Sequence, residues 1–247
     1  MKPFFSAFYV IDVLLLIIRK IIIIERRQVW VVHVFPRVAL QPGDFSNFVD
    51  IFSMNSTELQ RALSLKGPDF RMRDAELVLR YYAYSNFLPE YDGRFKEFLD
   101  LTSKRLNQEW NKKRAFIEAQ SKELEHALVA VREIFGERGA LRKWNGVEYE
   151  RRINRAVFDI MIYFFREKKI RDIAVKEKDS IQTAFKTLCE DDYEFRDALE
   201  RTTKSLESNA NRLDAWGQAL SQICKIPIPR FSPALFPECS ILPTGRV

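Results

Sequence analysis

Apolar side chains recur at helical spacing through most of the chain, and the longest such stretch covers residues 95–135. Gly136 follows it at the place where a C-terminal helix cap is expected. We predict either one long spine helix or a helical hairpin, with a bend in the polar segment at residues 108–114. The apolar positions are Phe95, Phe98, Leu99, Leu106, Trp110, Phe116, Ile117, Leu124, Leu128, Val131, Ile134 and Phe135.

Shorter helices are predicted on both sides of this stretch. The segment at 147–166 is apolar over most of its surface, which is typical of a helix at the centre of a bundle. Asp74 is predicted to cap a helix that ends near Asn86. Only eight glycines are present, which argues against a β-rich fold with many turns. The fold class is therefore mainly α, an irregular multi-helix bundle, with further helices at 44–53, 170–175, 179–189, 193–205 and 208–224.

The two ends of the chain differ from this pattern. Residues 1–41 form an atypical apolar segment, and its β-branched runs around Glu25 to Gln28 favour a small β-hairpin packed on the body of the protein. A membrane anchor is the alternative, but the apolar run is shorter than the about 20 residues that span a bilayer. The helical domain is predicted over residues 42–225, and a Pro-rich tail over 226–247.

Several functional classes are excluded by what the sequence lacks. It has no G-x-x-x-x-G-K-[ST] loop, no G-x-G-x-x-G and no G-x-S-x-G. The three cysteines include no C-x-x-C pair, and His33 and His126 are isolated. We therefore predict no catalytic residues, no metal site and no cofactor, and a reduced cytoplasmic protein. The net charge of +6 is compatible with a polyanionic partner.

Three basic groups are candidates for contacting nucleic-acid phosphates. Each has a structural alternative: Glu76 and Arg80 form an i, i+4 pair, and the hydroxyl and amide groups near Lys204 are also good helix caps. Arg151 and Arg155, placed on one helix, would be like-charged neighbours, which acidic partners or a ligand must offset. The candidates are Arg71, Arg73 and Arg80, then Arg151, Arg152 and Arg155, and finally Lys204 and Arg212.

Several blocks together resemble a known family. The first is Gly67-Pro-Asp-Phe-Arg-Met-Arg-Asp-Ala-Glu-Leu-Val-Leu-Arg, and others are Arg152-Ile-Asn-Arg-Ala-Val-Phe-Asp and Asn211-Arg-Leu-Asp-Ala-Trp. In order over residues 42–229, they resemble the helical back half of the N-terminal, ParB-like domain of GmrSD-type restriction endonucleases. The resemblance implies a structural role, as residues of the family's motifs, for Asp74, Glu76, Asn154 and Asp159.

The resemblance implies a bacterial DNA-restriction or phage-defence protein. The family's Asp-Gly-x-Gln-Arg signature is missing, because the first glycine here is Gly43. We therefore expect a truncated or rearranged gene product whose helical part binds DNA or supports a catalytic half. A protein–protein interaction or homo-oligomerisation module without nucleic-acid binding is the alternative, and a membrane-anchored protein a third.

Overall fold

The computed structural model describes residues 41–65, 69, 71–200 and 205–233. The apolar segment before Gln41, its predicted hairpin, Lys204 and the tail beyond residue 233 lie outside them. The prediction of a mainly helical bundle is confirmed for the described part of the chain, which forms nine α-helices and no β-strand. These are α1 (Asp44–Asn55), α2 (Thr57–Ala62), α3 (Arg73–Phe87), α4 (Phe95–Gly139), α5 (Arg155–Phe165), α6 (Lys168–Lys176), α7 (Lys178–Asp191), α8 (Tyr193–Glu200) and α9 (Leu206–Cys224).

Helix α4 is the spine of the bundle and contacts α1, α2, α3, α5, α6 and α7. The bend expected at residues 108–114 is wrong. The helix continues through that segment because Trp110 and Ile117 are buried at helical spacing while the polar residues between them face solvent. The helical geometry is interrupted only near the end, at Gly136, whose φ of 70° favours glycine. Thus the spine helix, and not the hairpin, is formed.

Two tyrosines of α3 fasten that helix to the spine. The Tyr82 hydroxyl donates a hydrogen bond to the Ile117 carbonyl oxygen at 2.8 Å, and the Tyr81 hydroxyl donates to that of Gln120 at 2.7 Å. Both hydroxyls are attached to buried side chains, and each therefore satisfies its hydrogen-bonding capacity inside the bundle.

Helix α5 is central, and every residue from Ala156 to Phe165 is buried. Its start differs from the sequence prediction, because Asn154 and not a residue near Val147 caps it. The Asn154 side-chain oxygen accepts from the backbone N–H groups of Ala156 at 2.8 Å and Val157 at 3.2 Å. The chain before it makes a turn closed by an antiparallel bridge between Trp144 and Tyr149.

The other end of α5 is capped by an arginine. The buried Arg171 side chain donates from Nη1 to the carbonyl oxygens of Phe165 at 2.9 Å and Arg166 at 3.1 Å. These carbonyls have no partner within the helix, and a cation is favoured at a helix C-terminus. The central helix is thus satisfied at both ends by side chains.

The C-terminal helices complete the core. Trp216 of α9 is fully buried, and its ring packs on Phe185 of α7 and Phe165 of α5, with centroid separations of 5.5 and 6.4 Å. No helix within the described ranges is both long and apolar enough to cross a membrane.

Candidate anion-binding edge and the buried ion network beneath it

One buried carboxylate joins three helices. Asp159 of α5 accepts two hydrogen bonds from Arg80 of α3, one of them from Nε at 2.8 Å. It also accepts one from Nη2 of Arg212, on α9, at 3.2 Å. The side chains of Asp159 and Arg212 are fully buried, and that of Arg80 is 5% exposed. These three residues form what we call the buried ion network.

Neutral polar and aromatic groups complete the surroundings of the two arginines. Arg212 Nη2 donates to the Tyr84 hydroxyl at 2.9 Å and also to the side-chain oxygen of Asn209. The Arg80 guanidinium lies over the ring of Phe95, 4.2 Å from its centroid, which is a cation–π contact. Besides Asp159, each arginine therefore has a further favourable contact: hydrogen-bond acceptors for Arg212 and an aromatic ring for Arg80.

The surroundings of Arg80 favour its charged form. Burial lowers the pKa of Arg80, but the charge and hydrogen bonds of Asp159 outweigh it, so the pKa of Arg80 is raised. Removing either partner would leave an uncompensated charge in a nearly water-free environment. The network is a structural element that fixes how α3, α5 and α9 pack.

This burial corrects two of the predicted phosphate contacts. Arg80 and Arg212 were expected to present guanidinium groups at an exposed surface, and that expectation is wrong. Arg80 falls between Leu79 and Tyr81, which are themselves buried on α3, and Arg212 is fully enclosed. A guanidinium in the core cannot reach a phosphate in solution while it neutralises Asp159.

A second ion pair lies one turn closer to solvent. Arg155 Nε is 3.0 Å from Glu76 Oε1, and Arg155 Nη2 donates to Glu76 Oε2 at 3.1 Å. Glu76 also lies 3.6 Å from Arg80 Nη1, which confirms the predicted i, i+4 pair. Two ion pairs join α3 to α5, Glu76–Arg155 and Arg80–Asp159. From the first pair to the second, the chain advances by four residues on each of the two helices. Helices α3 and α5 therefore run parallel here, with their N-termini at the same end.

Five arginines cluster at these two N-termini. Arg71 and Arg73 lie at the start of α3, and Arg151, Arg152 and Arg155 lie just before and at the start of α5. Arg71, Arg151 and Arg152 are exposed, and the side chains of Arg73 and Arg155 are 41% and 51% exposed. We call these five residues the arginine edge. Guanidinium groups and helix N-termini both favour anions, so the edge can bind phosphates.

The predicted helical placement of Arg151 and Arg152 is wrong. Both residues precede Asn154, the cap of α5, and lie in an irregular segment. The repulsion expected from an i, i+4 spacing of Arg151 and Arg155 on one helix therefore does not arise. The like charge at Arg155 is offset by Glu76 across the helix pair instead.

The cap of α3 also differs from the sequence prediction. Asp74 lies inside the first turn, where its Oδ1 accepts from the Ala75 N–H at 2.8 Å. Asp69 is the residue that reaches the helix start, and it accepts from the N–H groups of Arg71 and Arg73, each at 3.1 Å. Burial raises the pKa of Asp69, but the hydrogen bonds from Arg73 and Arg71 outweigh it and lower that pKa.

The residues that carry the resemblance come together in space. Arg80, Asp159 and Arg212 come from three blocks that are far apart in sequence, and they meet in the buried ion network. Asn154 adds a contact to a fourth segment, because its Nδ2 donates to the Leu199 carbonyl oxygen at 3.0 Å. The sequence contains a signal for this arrangement. On α3 an acid is followed four residues later by a base, Glu76 and Arg80, whereas on α5 a base is followed four residues later by an acid, Arg155 and Asp159.

Comparison with protein-family models, curated proteins and solved structures finds no match to this chain. In the described ranges, no three or more His, Cys, Asp and Glu side chains are grouped so that they could hold a metal ion.

Proposed function

We propose that this chain is the non-catalytic helical portion of a bacterial, cytoplasmic DNA-restriction or phage-defence protein. In this proposal, the arginine edge binds the phosphate backbone of DNA and supports a catalytic half. The observation that carries the proposal is the location of five exposed or partly exposed arginines at the starts of two parallel helices. The resemblance of the surrounding blocks to the GmrSD-type family supplies the biological setting.

The five arginines differ in whether a carboxylate is paired with them. Arg71, Arg151 and Arg152 form no ion pair with any carboxylate in the part of the chain that is described. Their guanidinium groups can therefore contact phosphates without breaking an internal interaction. Phosphate contacts carry no sequence information, so binding by the edge is sequence-blind and salt-dependent.

The test is an electrophoretic mobility shift series with a short DNA duplex between about 50 and 200 mM salt. The wild-type protein should bind at the low-salt end and release the duplex at the high-salt end. The triple variant Arg71→Gln/Arg151→Gln/Arg152→Gln should bind weakly at every salt concentration.

A matched control removes three exposed cations elsewhere, on α4: Lys104→Gln/Lys112→Gln/Lys122→Gln. It changes the net charge by the same amount and should retain nearly all of the binding. Absence of binding by the wild-type protein at low salt would refute the proposal, and so would equal losses in the two triple variants.

The second candidate function is an interaction module that docks on a catalytic partner chain or forms a homo-oligomer. Large apolar side chains at the surface favour it, above all Val147 at 84% exposure and Tyr193 at 62%. Light scattering after size exclusion distinguishes this candidate: a dimer that Val147→Ser/Tyr193→Ser converts to a monomer supports it, and a wild-type monomer argues against self-association.

A further inference from the structure

Two arginines of the arginine edge are held by carboxylates. Glu76 takes Arg155 side-on, with contacts of 3.0 and 3.1 Å, and Asp69 Oδ2 accepts from Arg73 Nε at 2.7 Å. A bidentate or side-on carboxylate uses the same donors that a phosphate would use. Each carboxylate therefore competes with an external phosphate for its arginine.

Glu76 keeps a partner when Arg155 leaves it. Its Oε1 lies 3.6 Å from Nη1 of the buried Arg80, and its side chain is 22% exposed. The carboxylate would thus retain both a neighbouring cation and some contact with water. Releasing Arg155 to an external anion does not leave an isolated buried charge.

Asp69 also keeps hydrogen-bond partners when Arg73 leaves it. Its carboxylate accepts from the backbone N–H groups of Arg71 and Arg73, each at 3.1 Å, besides the Arg73 side chain. If the Arg73 guanidinium turns outward, both backbone hydrogen bonds remain. The start of α3 would therefore stay capped while its arginine side chain binds elsewhere.

We propose that Glu76 and Asp69 make the arginine edge selective for extended polyphosphate backbones, such as duplex DNA, over single phosphate ions. This inference rests on the proposed function. At Arg73 or Arg155, a single phosphate must displace the carboxylate that is already in contact. A duplex is first held by Arg71, Arg151 and Arg152, and its next phosphates then face Arg73 and Arg155 at a high effective concentration.

The main test uses Glu76→Gln, with a short DNA duplex and inorganic phosphate as the two probes. The variant should bind the duplex about two- to fivefold more tightly, the range expected for releasing a partly exposed ion pair. Its affinity for inorganic phosphate should rise by a larger factor, because Glu76 excludes the single ion more strongly than the duplex. In an Arg155→Gln background the gain from Glu76→Gln should shrink to that of a control, Glu148→Gln. Glu148 is an exposed carboxylate near the same segment, so its removal reports the long-range effect of charge alone.

The second measurement leaves the protein unaltered. The NMR signal of the Arg155 Nε–H group, assigned by its loss in Arg155→Gln, should shift on addition of duplex. It should not shift with inorganic phosphate at the same concentration of phosphate groups. This measurement decides the matter if Glu76→Gln does not fold.

The outcomes separate this inference from the proposed function. If the wild-type protein binds no duplex at low salt, both fail. If the duplex binds through Arg71, Arg151 and Arg152 but Glu76→Gln changes nothing, or gains equally with and without Arg155, the inference alone is overturned. A shift of the Arg155 signal by inorganic phosphate as large as that by duplex also overturns it.

Discussion

Replacing Asp159 by alanine tests the buried ion network at its centre. The change removes three hydrogen bonds and leaves the guanidinium groups of Arg80 and Arg212 buried without their shared carboxylate. Breaking a buried ion pair from one side costs about 3–5 kcal/mol. Since domains are stable by about 5–15 kcal/mol, the loss is a large fraction of the free energy of unfolding. It corresponds to a fall in Tm of about 6–20 °C for a chain of this size.

Circular dichroism at rising temperature measures this fall, and Asp172→Ala is the matched control. Asp172 pairs with Lys168 on the surface of α6, where the two side chains are 50% and 74% exposed. An exposed pair contributes about 0–1 kcal/mol, so the control should lose less than about 4 °C. Equal shifts in the two variants would refute the structural role given to the network.

A triple variant separates the charge from the packing. Arg80→Met/Asp159→Leu/Arg212→Met replaces all three members by apolar side chains and leaves no buried charge. It should be more stable than Asp159→Ala, because replacing a whole buried ion cluster is often neutral or stabilising. If it is the less stable of the two, shape and not charge decides the stability at this site.

Three further predictions concern single side chains. Asp69→Asn should lower Tm at pH 7. Because the folded-state pKa of Asp69 is lowered, the difference in Tm from wild type should shrink as the pH falls below about 4 in a thermal-unfolding series. A difference that stays constant with pH would contradict this. Asn154→Ala removes the cap of α5 and should cost about 0.5–2 kcal/mol in urea unfolding, whereas Asn145→Ala, in the exposed turn, serves as a control that should cost less. Burial raises the pKa of Cys189 to about 11, so its thiol should react with iodoacetamide at pH 8 only after unfolding; rapid labelling of the native protein at Cys189 would contradict the burial.

The periodicity of apolar residues was sufficient to predict the helical fold class. It also located the long helix, because Phe95, Leu106 and Val131 all belong to the face of α4 that is buried. It misplaced the start of α5, since the apolar pattern does not show where the preceding turn ends. Asn154 is a favoured cap residue, and its identity was the signal that would have corrected this boundary.

The role of each arginine was harder to predict, for a physical reason. Spacing places Arg80 on α3, but whether its guanidinium faces solvent depends on the partner helix, which contributes Asp159 from 79 positions away. Arg212 is a similar case, because its burial depends on the packing of α9 against α5. Exposed and buried cations look alike in a sequence, and only the tertiary contacts separate the arginine edge from the buried ion network.

The salt dependence of DNA binding tests the central claim most directly. Each phosphate contact contributes about −0.9 to the slope of log Kobs against log salt concentration. Arg71→Gln/Arg151→Gln/Arg152→Gln should therefore reduce the magnitude of the slope by about 2–3, whereas Lys104→Gln/Lys112→Gln/Lys122→Gln should leave it nearly unchanged. A wild-type slope near zero, or the same reduction in both variants, would contradict the assignment of DNA binding to the arginine edge.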